Sequence, residues 1–192
     1  MGLLDALLGR KKPVPPDLDA LFALPSAAIA LEAATGLHPT GVGAVCVKPA
    51  EGADFADCQT EVLALLGLDQ AGGAEEARDE FGYLWTTART GADRLADVVT
   101  ALHAANTTYE RAGYGPSLLC SLVGFAGEVD GTRRSLGLVY LYKRGTTYPF
   151  APIGGQKRDT ALELQVRAAL GEDLRVEPDL SRWFPVWGAP GL

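Results

Sequence analysis

Apolar positions along the chain fall into two rhythms. Between about Asp93 and Ala112, Leu95, Val98, Val99, Leu102, Asn106 and Tyr109 recur with the 3.6-residue period of a helix, and Gly113 supplies a stop. Phe55, Cys58, Val62, Leu65 and Leu66 do the same in a helix beginning at Asp54, as do Leu162, Val166, Ala169 and Leu170 in one capped by Asp159 and stopped by Gly171. A short helix is expected from Asp17, as its cap, to Leu24, ending before Pro25. Elsewhere the chain is β-branched, aromatic or continuously apolar. AAIALEAA and GVGAVCVKP, separated by the turn-rich GLHPTG, read as one hairpin; EFGYLWTTAR reads as a strand; SLLCSLVGFA and RSLGLVYLYK read as a second hairpin about Asp130-Gly131. AGGAEE is expected to be a loop, and the tail VEPDLSRWFPVWGAPGL has no period but carries Trp183, Phe184 and Trp187.

The resulting order is helix, two strands, helix, strand, long helix, two strands, helix. Hairpins dominate and no βαβ repeat is visible, so the expected class is α+β: an antiparallel sheet of about five strands flanked by helices. Residues 1–16 form an appendage, a short amphipathic helix followed by the stiff PVPP linker, and 17–192 form one domain with an aromatic tail. With 192 residues, 47% of them hydrophobic and 21% charged, the chain can bury a core of its own.

Charge changes this picture in one place. The net charge is -7, which argues against nucleic acid as a partner, yet Arg133, Arg134, Lys143, Arg144, Lys157 and Arg158 lie between Gly131 and Arg158 with no acidic residue among them. Three cysteines without a CxxC pair point to a reduced, cytoplasmic protein; no secretory leader and no run of about eighteen apolar residues is expected. At the front, Leu3, Leu4, Leu7 and Leu8 share a helical face beside Arg10, Lys11 and Lys12. That segment either rests peripherally on the anionic inner face of the cell membrane or docks on its own domain.

Candidate chemistry is sparse. His38 and His103 have no ligand-spaced neighbours, so no metal is expected, and no other cofactor is implied. Cys120 lies within a strand and lacks the GxSxG context of an exposed nucleophile. Carboxylates cluster as EEARDE and GEDL at loop edges, the pattern of a solvated face. Gly154 and Gly155 followed by Gln156, Lys157 and Arg158 ahead of a helix would offer amides and cations to an anion, the basis of an alternative reading as a small-molecule or anion-binding enzyme; neither GxxxxGK[ST] nor GxGxxG is present. The other reading is recognition. Lys143, Arg144, Tyr148, Phe150, Gln156, Lys157 and Arg158 combine cationic heads with rigid aromatics, the composition of a partner-binding surface, with Pro149 and Pro152 stiffening the segment. Alternatively, Tyr148 and Phe150 close the core and the cations are solvated at its rim.

MGLLDALLGRKKPVPPDLDALFALPSAA, CSLVGF, LVYLYKRGTTYPFAP and DLSRWFPVWGAPGL together resemble the PspA-associated protein PspAB family, over nearly the whole chain. The resemblance implies a non-enzymatic accessory or adaptor role in the phage-shock response to envelope stress. Its implied partners are the membrane-remodelling protein PspA and a membrane metalloprotease of HtpX type. It carries no catalytic residues, and neither the direct partner nor the oligomeric state follows from it. The element order is also similar to type III secretion chaperones and YbjN-type domains, which bind segments of other proteins.

Overall fold

A computed structural model of the protein describes residues 16–67, 74–129, 131–171 and 174–192. The leucine and basic positions of the N-terminal segment, residues 3–12, lie outside them, as does Asp130.

Six strands form one antiparallel sheet: β1 (His38–Val47), β2 (Glu75–Arg78), β3 (Leu84–Arg89), β4 (Leu118–Val129), β5 (Thr132–Leu141) and β6 (Thr146–Phe150), in the order β2-β3-β1-β4-β5-β6. A separate two-stranded hairpin joins β7 (Pro152–Ile153) to β8 (Lys157–Arg158). Four α-helices, α1 (Leu24–Thr35), α2 (Ala53–Gly67), α3 (Leu95–Arg111) and α4 (Thr160–Leu170), complete the α+β architecture. The long β4–β5 pairing holds Cys120 opposite Leu141 and Val129 opposite Thr132 in an unbroken register, as the alternating apolar pattern of both strands requires.

All four helices lie on one face. Leu24 and Leu31 of α1, Phe55 and Val62 of α2, Leu102 and Tyr109 of α3, and Leu162 and Val166 of α4 bury against Val45, Leu84, Val123, Phe125, Leu138 and Tyr140. The α3 helix packs so closely on β1 that a Cβ on Gly43 would lie 2.4 Å from Val98 Cγ1. Polar side chains inside this core make hydrogen bonds with one another, although Asn106 Oδ1 is buried without a partner among the described residues. Gln59 donates to Thr86 (2.9 Å) and Glu76 (2.8 Å) and accepts from the Tyr109 hydroxyl, and Asn106 donates to Ser121 (2.8 Å).

The expectations for two stretches of the chain need correction here. AAIALEAA is not a strand: it belongs to α1, which Pro25 opens instead of preventing and which Gly36, at φ 72°, ends. Leu24, Ala27, Ala28 and Leu31 give it a buried helical stripe, and an alanine-rich run has high helix propensity. Asp17 makes no side-chain cap, and Leu18–Ala23 is a 3-10 turn leading straight into α1. Together Leu18–Thr35 is long and apolar enough to cross a membrane by length and composition, but Leu18, Leu21, Leu24 and Leu31 are buried in the fold's interior. The second correction is EEAR, expected at the edge of a solvated loop. It forms β2, exposed at all four positions and paired to β3 from Glu75↔Thr87 to Arg78↔Leu84.

The sheet's other face is covered by the tail. Arg175–Glu177 runs parallel to β6, with Thr147 donating its N–H to the Arg175 carbonyl (2.9 Å) and Glu177 donating to the Thr147 carbonyl (2.8 Å). The chain then crosses the face toward Gly191, which lies over Gly124. A Cβ on Gly124 would meet the Gly191 oxygen at 2.8 Å, and one on its register partner Gly137 would approach Leu122 and Leu192. Only glycine lets the tail lie this close to the strands.

Candidate functional site: a strapped cavity beside the basic segment

The basic-aromatic stretch is a strand followed by a hairpin, and this decides what each of its residues can touch. Tyr148 and Phe150 point from β6 into the core between sheet and tail and are 1% and 0% exposed. Tyr148 stacks on Trp183 (centroids 6.0 Å apart) and donates its hydroxyl to the Phe184 carbonyl (2.7 Å); Phe150 meets Trp187 edge-on at 4.9 Å. Burial pushes the Tyr148 hydroxyl pKa far above its usual value, so it serves as a fixed donor. These two aromatics therefore support a surface from beneath and are not themselves available to a partner.

The four cations divide in the same way. Arg158 is half-buried: Nε donates to both Glu163 oxygens (2.9 Å), Nη1 donates to the Trp183 carbonyl (2.7 Å), and the guanidinium lies 5.2 Å from the Phe150 ring centroid. Arg144 donates to Glu177 (2.7 Å). Lys143, Gln156 and Lys157 are exposed, and neither lysine has an ion pair among the described residues. Gly154 and Gly155 sit at the tip of the β7–β8 hairpin, where Gly155 and Gln156 both have positive φ (75° and 52°). They are not at a helix start. The N-terminus of α4 is closed by Asp159, whose carboxylate accepts from the Leu162 N–H (3.1 Å), so the anion cradle of the alternative reading is not assembled there.

Sequence reasoning missed the two carboxylates that organise this region. Glu163, 1% exposed, accepts from Arg158 and from the Ala151 N–H (2.9 Å), tying α4 to the end of β6. Glu177, 0% exposed, accepts from Arg144 and Thr146 (2.8 Å) and faces Arg182 at 3.6 Å. Burial alone would push up the Glu177 carboxyl, but hydrogen bonds from Arg144, Thr146 and the Asp179 N–H hold it below its ordinary 4.5. A signal existed for Glu163, which shares the inward stripe of Val166 and Leu170 on α4. None existed for Glu177 in the aperiodic tail.

Beyond the strap the outer face opens into a cavity of about 560 Å³. Cys46 and Cys120, directly opposed across β1 and β4, form its floor; Trp85 and Tyr83 line one side, Leu119 and Leu141 the other. Val186 and Trp187 of the tail wall it in, and Lys143 and Arg144 stand at its edge. Phe81 and Phe184 at this cavity are 69% and 59% exposed. Polar groups in the lining are mostly committed: Asp79 accepts from the Phe81 and Tyr83 N–H groups (3.0 and 2.9 Å) and from Trp85 Nε1 (3.0 Å). The hydrogen bond with Cys120, and burial after it, push the Cys46 thiol far up, so it stays protonated and unreactive as a nucleophile. His38 and His103 lie elsewhere, 3.0 Å from Glu32 and 3.2 Å from Asp19 respectively. No cluster of three metal-ligating side chains occurs among the described residues.

The family model for PspAB, PspA associated protein B, matches residues 1–191. The chain belongs to the PspA associated protein B family. Membership makes this an accessory protein linked to PspA, in a family named for association and not for a reaction. No curated protein and no solved structure matches the chain, so the expected likeness of this PspAB member to secretion-chaperone and YbjN-type domains rests on element order alone.

Proposed function

We propose that this protein is a non-enzymatic adaptor of the phage-shock response that docks on PspA. The observation that carries the reading is the family match over residues 1–191, whose name is one of association. Two exposed basic positions on an acidic body support it: Lys143, at the cavity edge with the solvent-facing rings of Phe81 and Phe184, and Lys157, next to Gln156 on the β7–β8 hairpin. Unattached cations near exposed aromatics favour a partner segment carrying carboxylates, and they orient its approach. Tyr148, Phe150, Arg144 and Arg158 hold this surface in shape from behind. A membrane metalloprotease of HtpX type is the second partner this role would bring together with PspA. The protein would act in the cytoplasm at the inner membrane face, touching the bilayer through Leu3, Leu4, Leu7, Leu8 and the Arg10-Lys11-Lys12 cluster.

The test is affinity purification of the tagged protein from detergent-solubilised membranes of stressed cells, wild type beside a Lys143→Glu/Lys157→Glu variant. Recovery of PspA with the wild type and its loss with the folded variant is the expected result. Equal recovery with both would remove the basic surface from the reading, and recovery of PspA with neither would remove the adaptor role. Sedimentation with anionic vesicles, with and without residues 1–12, tests the membrane contact separately.

A further inference from the structure

We infer that the strapped cavity is a binding site for a long-chain fatty acid, with the hydrocarbon chain lying over Cys46 and Cys120 and the carboxylate at Lys143. The inference goes beyond adaptor docking and does not depend on it.

The cavity's size, about 560 Å³, is within the usual range of small-ligand sites, about 300–1,000 Å³. Apart from Asp79, Lys143 and Arg144, its lining is aromatic, aliphatic and thiol. The occupant's class follows from what that lining leaves unpaired. Both oxygens of Asp79 are taken by Phe81, Tyr83 and Trp85, the Tyr148 hydroxyl is given to the Phe184 carbonyl, and the β1 and β4 backbones are paired with their neighbours except at the register break between Cys46 and Val47, where the Leu119 carbonyl accepts instead from the Tyr142 N–H (3.3 Å). An inserted peptide would bring an amide N–H and C=O at every residue into a place with few partners for them, and each unpaired group is costly. A hydrocarbon chain brings none.

The charge at the edge selects the head group. Lys143 lines the cavity, is exposed and has no anionic partner among the described residues, whereas its neighbour Arg144 is held by Glu177. The acidic group across the cavity, Asp79, is tied to the indole of Trp85. A carboxylate is therefore favoured at the Lys143 end, with the chain running inward beneath Val186 and Trp187.

Trp85 and Trp187 in the lining provide the readout. The full chain is titrated with stearate brominated at mid-chain, below its micellar concentration, and indole emission is followed. Saturable quenching, reversed by unbrominated stearate, is expected. Stearyl alcohol should compete at least tenfold more weakly than stearate, and shortening the acid by two carbons should weaken it about tenfold. Lys143→Glu, an exposed substitution that leaves the fold intact, should abolish the preference for acid over alcohol. Absence of saturable quenching would overturn the site. Equal competition by acid and alcohol in the wild type would overturn the role of Lys143, and displacement of the probe by an apolar octapeptide more strongly than by stearate would overturn the fatty acid in favour of a peptide groove.

Discussion

The two faces of the sheet are buried by different means. One is covered by four helices whose apolar stripes interlock with β1, β3, β4 and β5 in a single continuous core. The other is covered by a tail with almost no regular structure, held by aromatic stacking, by glycines that let the chains touch, and by two buried carboxylates facing arginines. The helical face is stabilised by volume and periodicity, the strapped face by a few directional contacts. Failure should accordingly be global on the first and local on the second, and the local side is the one that carries the cavity.

Leu102→Ala on α3, at a fully buried position of the helical face, should cost about 3 kcal/mol and lower the entire unfolding transition, whether followed by far-UV or near-UV circular dichroism. Arg158→Met should cost slightly less, about 2–3 kcal/mol, because it strands Glu163 and releases the Trp183 carbonyl. Its signature is different: near-UV aromatic signal and protection of the tail amides are lost while helical signal persists. If both variants unfolded in one common transition, the contrast between the faces would be wrong.

Acid sharpens the same contrast. Because the folded Glu177 carboxyl lies below its ordinary 4.5, its contribution to stability is present above that value and is lost as pH falls through the folded pKa. The tail should therefore detach before the helices melt as pH drops below about 4.5, and Glu177→Gln should flatten that early transition at a cost of about 1–2 kcal/mol at neutral pH. Smallest of all is Lys143→Ala, which should leave the melting temperature unchanged and weaken only binding.

This asymmetry also explains what was legible in the sequence. Helices α2, α3 and α4 and the β4–β5 hairpin were readable because each repeats a period long enough to identify itself. The α1 helix was not, since AAIALEAA is a short, nearly all-apolar run that either a strand or a buried helix satisfies, and Pro25 suits a helix start as well as a break. β2 carries no apolar pattern because both its sides meet solvent. In the candidate site, the cations and aromatics were visible as a composition, but their division into exposed Lys143 and Lys157 and committed Arg144 and Arg158 was not. That division is made by Glu163 and Glu177, the latter 33 residues from Arg144 along the chain. The cavity was hidden for a similar reason, as its floor pairs Cys46 with Cys120 and its wall comes from the tail.

The two outermost strands close the sheet in unlike ways. β6 has its free side occupied by Arg175–Glu177, while β2 is four residues long and presents Glu75, Glu76 and Arg78 to solvent. Neither offers the long, neutral ladder of amides on which a foreign strand could assemble. Under the role proposed above, edges of this kind would keep the protein from being drawn into aggregates of other unfolded chains. Detaching the tail would strip that protection from one side, so the strap that walls the cavity is also the molecule's guard against misassembly.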